Sequence, residues 1–93
     1  MLVLRLTLQL RLHAADSLKE KRRVVRSVKE RLRQRFHVAV AEVGSHDQYR
    51  IAEIGVAAVA AERRELDRLL GRITDFLDGD GRFDIVERDA EIS

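Results

Sequence analysis

Residues 2–12 read LVLRLTLQLRL, the most regular alternation in the chain. Leu2, Leu4, Leu6, Leu8, Leu10 and Leu12 take every even position, while from Arg5 to His13 the odd positions are polar. A period of two over this length describes a strand with one buried face and one wet face. Wound as a helix, the same leucines would point in all directions, so no single helical face could bury them. Shortly beyond the strand, Ser17-Leu18-Lys19-Glu20 has the spacing of a capping box. In that motif the serine hydroxyl and the glutamate carboxylate satisfy free amide donors at a helix start. The period then changes: Leu18, Val25, Val28 and Leu32 follow helical spacing and predict a first helix with an inward apolar stripe, ending near Arg35.

Past the helix the β-prone run Phe36 to Val43 predicts a second strand, and Gly44-Ser45-His46-Asp47 has turn composition. The Ile-, Val- and Ala-rich run Arg50 to Ala60 then reads as the returning strand of a hairpin, with Gly55 expected at a bulge. Leu66, Leu69, Leu70, Ile73, Phe76 and Leu77 recur at three and four, predicting a second amphipathic helix from about Glu62 to Asp78, closed by Asp78-Gly79-Asp80-Gly81. Phe83, Ile85, Val86 and Ile92 support a last strand, whose imperfect alternation and charged outer positions suit a sheet edge. The order is strand, helix, strand, strand, helix, strand. Right-handed crossovers put both helices on one face of a four-stranded antiparallel sheet, giving an α+β, ferredoxin-like βαββαβ sandwich. With no internal repeat, low-complexity tract or linker, residues 1–93 are expected to form a single domain.

Composition narrows the chemistry. The chain has no cysteine, which excludes disulfides, thiol catalysis and cysteine-ligated metal centres. No unbroken apolar segment resembles a signal peptide or a membrane span, so a cytoplasmic protein without membrane association is expected. The formal net charge is only +2, but it is unevenly distributed. Residues 1–50 carry twelve basic and five acidic side chains, and residues 51–93 carry six and eleven.

The segments Ser17-Leu18-Lys19-Glu20-Lys21-Arg22 and Val38-Ala39-Val40-Ala41-Glu42-Val43, with Asp47 and Gly55-Val56-Ala57, lie at separations that span nearly the whole chain. Together they resemble the YlxP-like family of small bacterial proteins of unknown function. The resemblance implies a ferredoxin-like fold and brings with it no activity, cofactor or catalytic residue. Genes of the family often lie near genes of translation initiation and ribosome maturation, which is an association of genes and not a mechanism. Tyr49 stands where relatives often have Trp, and His37 and Ala39 replace the Asn and Ser that often flank the matching valine.

The first helix holds the main functional signal. Between Lys19 and Arg35 lie nine basic residues and two acidic ones, Glu20 and Glu30. Arg22, Arg26, Lys29 and Arg33 fall at i, i+4, i+7 and i+11, which aligns four cations over roughly 16 to 17 Å of one helix face. Closely spaced cations suit backbone phosphates, whereas folding alone gives no reason to accept their mutual repulsion. The expected nucleic-acid-binding set is Lys19, Lys21, Arg22, Arg26, Lys29 and Arg33, with RNA or a ribosomal particle as the partner. Against this stands the alternative that the charges form a solvated face neutralised by carboxylates of the same chain or of a dimer partner. Lys21 falls on the apolar stripe between Leu18 and Val25. Its expected outcome is snorkelling past the first turn; a charge partner, Glu42 or Asp16 by residue type, or a bound anion is the alternative.

The exposed face of strand one offers Arg5, Thr7, Gln9, Arg11 and His13 and no aromatic residue, which disfavours base stacking of the kind RNA-recognition motifs perform there. That bare face could instead meet its twin in a homodimer. A small-ligand site beside Lys21 or His13 is a third reading. His13, His37 and His46 with Asp16 and Asp47 match no ligand spacing, and Asp78, Asp80 and Asp84 lack the rest of a calcium loop, so no metal and no cofactor are expected. The chain has no Asn to orient a water, no Gly-rich phosphate loop and no GxSxG elbow, so it is expected not to be an enzyme.

Overall fold

The computed structural model describes residues 1–93. Its elements are β1 (Leu2–Leu12), α1 (Leu18–Phe36), β2 (Ala39–Gly44), β3 (Ile51–Ala60), α2 (Arg63–Asp78) and β4 (Phe83–Ile92). The alternating leucines of β1 take the position their pattern demands, with a strand on either side. β1 pairs antiparallel with both β3 and β4, and β2 pairs with the far side of β3, so the sheet order is β2-β3-β1-β4. This is the ferredoxin-like α+β arrangement. Leu4, Leu6, Leu8 and Leu10 are no more than 1% exposed. Each contributes about 1.5–3 kcal/mol by leaving water. They belong to one cluster of 19 buried residues, closed from the helix side by Val25, Val28 and Leu32 of α1 and Leu66, Ile73 and Leu77 of α2.

α1 starts where the capping box puts it. Ser17 is the N-cap in extended conformation, and its Oγ accepts the Glu20 amide at 3.2 Å. The Glu20 carboxylate reaches one residue further back than expected and accepts the Asp16 amide at 2.8 Å. The helix also runs past Arg35 to include Phe36, which the sequence assigns to the second strand. Phe36 is buried and meets Phe76 of α2 edge to face, with ring centroids 5.5 Å apart. A partner forty residues away in sequence outweighs the local β preference. His37 then ends the helix in the left-handed region, at φ 55°.

Gly55 is not the bulge expected of it, since pairing runs unbroken through Thr7–Gly55 and Ala41–Gly55. The irregularities fall instead between Glu42 and Gly44 of β2 and opposite Gln9 and Leu10 in β4. Gly55 is needed for space, because a Cβ there would stand 2.8 Å from Cγ1 of Val43. The irregularity in β4 skips Val86 and explains that strand's imperfect alternation. Phe83 and Ile85 face the core before it, while Ala90 and Ile92 pair with core-facing leucines after it.

A basic helix face and the candidate nucleic-acid interface

Helical geometry gives α1 two faces, and its cations divide between them. Lys21 points inward. It is 1% exposed, and its ammonium donates to the carbonyls of Ser45 at 2.5 Å and Gln48 at 2.6 Å while facing Glu42 Oε2 at 3.0 Å. That carboxylate oxygen is itself buried and accepts no other hydrogen bond, so each charge is the other's compensation. Lys21 therefore does not snorkel, and it cannot touch a phosphate. Of its two candidate partners the fold brings up Glu42, while Asp16 lies 3.8 Å from Arg50.

The other predicted contacts are outward. Lys19, Arg22, Arg26 and Arg33 are exposed and Lys29 is half-buried. None of the five has a carboxylate within 4.0 Å; on α1 only Lys21 and Arg31 do. Arg33 has a second task, donating from Nη2 to the Val40 carbonyl at 2.8 Å, which blunts part of the free edge of β2. Lys19, Arg22, Arg23 and Arg26 wall a shallow depression of about 220 Å3 to which no apolar or acidic residue contributes. Arg23 was absent from the predicted set. Its i+4 spacing from Lys19 was the available signal, obscured because the predicted line was drawn through Arg22.

The far end of the helix is wired differently. Arg31 and Arg35 lie 5.0 and 4.9 Å from the centroid of Phe76, and Arg72 of α2 lies 5.5 Å from that of Phe36. Arg31 also approaches Asp80 at 3.6 Å. All three guanidiniums pack on rings and one of them also answers a carboxylate, so they belong to the joint between the helices.

The acidic half of the chain does not neutralise the free stripe. Arg82 grips Asp80 at 2.6 and 2.9 Å, and this hydrogen bonding holds the Asp80 carboxyl below the usual carboxylate range against an opposing burial effect. The same contact pushes the Arg82 guanidinium up. Asp84 is lowered by hydrogen bonds from His13, at 2.9 Å, and Arg11, at 3.1 Å. Glu87, Asp89 and Glu91 stand opposite Gln9, Thr7 and Arg5, on the sheet face turned away from the helices. The molecule is thus segregated by charge, cations on the outer side of α1 and carboxylates on the open face of an edge strand.

That open sheet face has an apolar half as well. Ala39, Ala41, Val43, Gly55 and Ala57 with Arg5 and Thr7 line a shallow groove over β2 and β3, where Val43 is 55% exposed. It carries no aromatic residue, so bases have no ring to stack on there. His13 touches Asp84 and the Gly81 carbonyl, and nowhere do three His, Asp or Glu side chains converge as metal ligands would. No helix is long and apolar enough to cross a membrane.

Two solved structures share the architecture. The de novo designed protein Foldit4 is 14% identical, with a TM-score of 0.52, covering 99% of this chain and 94% of its own. A mutant of SnoaB, a cofactor-independent oxygenase from Streptomyces nogalater, is 7% identical with a TM-score of 0.51, covering 98% and 90%. At these identities they speak for the fold alone. The uncharacterized protein YlxP of Bacillus subtilis (strain 168) is 34% identical over 67 residues, 72% of this chain and 73% of that protein. The family model described as protein of unknown function (DUF503) matches residues 3–90, and the chain belongs to this YlxP-like family.

Proposed function

We propose that this is a non-catalytic cytoplasmic protein that binds RNA, free or within a ribosomal particle, through the phosphate backbone and the outer face of α1. One observation carries the reading: Lys19, Arg22, Arg23 and Arg26 surround a single depression with no carboxylate of the chain within 4.0 Å. Cations that fold into a structure without partners repel one another, and a polyanion relieves that repulsion while releasing its own counterions. Contacts of this kind fix position on the backbone and do not read sequence. A salt titration of RNA binding is the test. Each neutralised phosphate contributes about −0.7 to the slope of log K against log salt for a single strand, so four contacts give a slope near −3. The double reversal Arg22→Glu/Arg26→Glu should flatten the slope and weaken low-salt binding by about tenfold or more. Absence of binding at low salt, or indifference to the reversal, overturns the proposal.

A second reading rests on the exposed apolar half of the sheet. Val43 and Val59, 55% and 63% exposed, flank small residues that a second copy of the sheet could cover, forming a homodimer with the basic helices outward. Sedimentation at high protein concentration decides it, since a strictly monomeric species removes the dimer.

A further inference from the structure

Tyr49 is the chain's single tyrosine, there is no tryptophan, and it stands 40% exposed in the β2–β3 loop, two residues before β3. A mobile loop would make that unremarkable, but this loop is held on both sides of the ring. The Gln48 carbonyl accepts from the Lys21 ammonium at 2.6 Å, and the Arg50 carbonyl accepts from the Leu12 amide at 2.8 Å. A turn bond from the Gln48 amide to the Ser45 carbonyl, 3.1 Å, closes the loop on itself. The Arg50 guanidinium backs the ring at 5.7 Å from its centroid. The result is a partly exposed aromatic ring on a hydrogen-bonded loop with a cation against it, so stacking on it requires little further ordering of the backbone.

The level of the β2–β3 loop along the basic stripe follows from two independent anchors. At one end, Lys21 in the second turn of α1 bonds the loop itself, and Arg22 is the next residue. At the other end, Arg33 bonds Val40 of β2, so the stripe runs along the β2 side of the helix. From Lys21 to Arg33 the helix advances about 18 Å. From Val40 to the end of β2 at Gly44 the strand advances about 13 Å in the opposite sense before the loop begins. Helix and strand thus run toward the same end of the molecule, where Lys21 bonds the loop, so the cation line from Arg33 to Arg22 ends near the loop that carries Tyr49.

The geometry points to single-stranded RNA as the ligand, with phosphates lying along Arg22, Arg26 and their neighbours and an unpaired base stacked on Tyr49 against its Arg50 backing. This inference rests on the phosphate-binding reading above and makes it specific. A duplex keeps its bases paired and stacked internally and offers the ring nothing, whereas a flexible strand can turn a base out onto it. Stacking of this kind tolerates any base, in keeping with a site that otherwise offers only charge.

Because Tyr49 is the lone tyrosine in a chain without tryptophan, the emission lifetime of the intact protein reports on this one ring. A short oligouridylate should shorten the lifetime on binding, while linear polyphosphate, a polyanion without bases, should bind and leave it unchanged. Tyr49→Ala should lose about tenfold in affinity for oligouridylate and nothing for polyphosphate, and Tyr49→Phe should keep nearly full affinity. The stacking inference alone is overturned if Tyr49→Ala binds oligouridylate as tightly as the wild type while Arg22→Glu/Arg26→Glu does not. If neither polyanion binds at low salt, the phosphate-binding reading fails first and the stacking inference falls with it.

Discussion

In the second turn of α1, Lys21 is 1% exposed and its ammonium meets three oxygens, whereas Arg22, one residue on, is exposed and meets no carboxylate within 4.0 Å. Both are cations in the same turn of helix under the same macrodipole. The hundred-degree step between successive helical residues separates them, turning one into the loop and the other into water. The difference shows how to sort basic residues on a charged helix: a cation serves the fold when removing it orphans a buried group, and it is available for other work when removing it orphans nothing. Arg31, on a ring and beside Asp80, and Arg35, on the same ring, fall nearer the first kind; Lys19, Arg22, Arg23 and Arg26 are the second.

The largest effect should come from Lys21. Lys21→Met leaves a buried Glu42 oxygen and the carbonyls of Ser45 and Gln48 without their donor, and breaking a buried pair by removing one partner costs about 3–5 kcal/mol. Urea denaturation should show a lower midpoint at unchanged m-value, with the loss of unfolding free energy equal to that amount. Adding Glu42→Leu should restore only part of it, because the two carbonyls remain unpaired. A change below about 1 kcal/mol would place Lys21 in the same class as Arg22 and erase the comparison.

A smaller loss is expected from Asp80, the acidic counterpart of a committed cation. Its side chain is 9% exposed, and it receives two hydrogen bonds from the Arg82 side chain and one from the Arg82 amide. Asp80→Asn keeps the shape and removes the charge, so about 2 kcal/mol should be lost. Because Arg82 lowers the folded-state carboxyl below its unfolded value, the stabilisation is complete above the unfolded value, about 3.9, and is lost as pH falls through the folded one. The wild type should therefore lose stability below about pH 4, and the variant should lose less over the same range. Equal acid limbs would remove Asp80 from the committed group.

The sequence made the two kinds of residue unequally legible. The leucine alternation and the capping box are local, so the sheet centre and the start of α1 could be read from neighbouring residues alone. The burial of Lys21 was half visible, since its place on the apolar stripe set the direction of the side chain. Snorkelling was expected because the alternative needed Glu42 and the loop carbonyls, whose proximity is created only by the fold. Phe36 was misassigned for a related reason, its helical state depending on Phe76. Gly55 was read as a bulge from its residue type, when its absent side chain makes way for Val43 across the strand pair. The free cations, by contrast, required only helical spacing. Arg23 lies off the helical line through Arg22 and Arg26, and only the fold shows that four cations surround one depression instead of standing in a single file.

The smallest effect should have the opposite sign. Arg22 has Lys19 at i−3 and Arg26 at i+4 and no acidic residue at either spacing, so the folded helix holds three like charges along one face. Each such neighbour destabilises a helix by about 0.2–0.5 kcal/mol at low ionic strength. Glutamine has nearly the helix propensity of arginine, so Arg22→Gln removes the repulsion and changes little else. Stability should rise by about 0.5 kcal/mol in low salt, and the gain should vanish where the Debye length falls to about 3 Å, near 1 M. The same substitution should weaken RNA binding. A residue that lowers stability and raises affinity for a polyanion is retained for the partner. If Arg22→Gln instead destabilised the chain, Arg22 would belong with Lys21 as part of the fold, and the separation of the two faces of α1 would fail at its first residue.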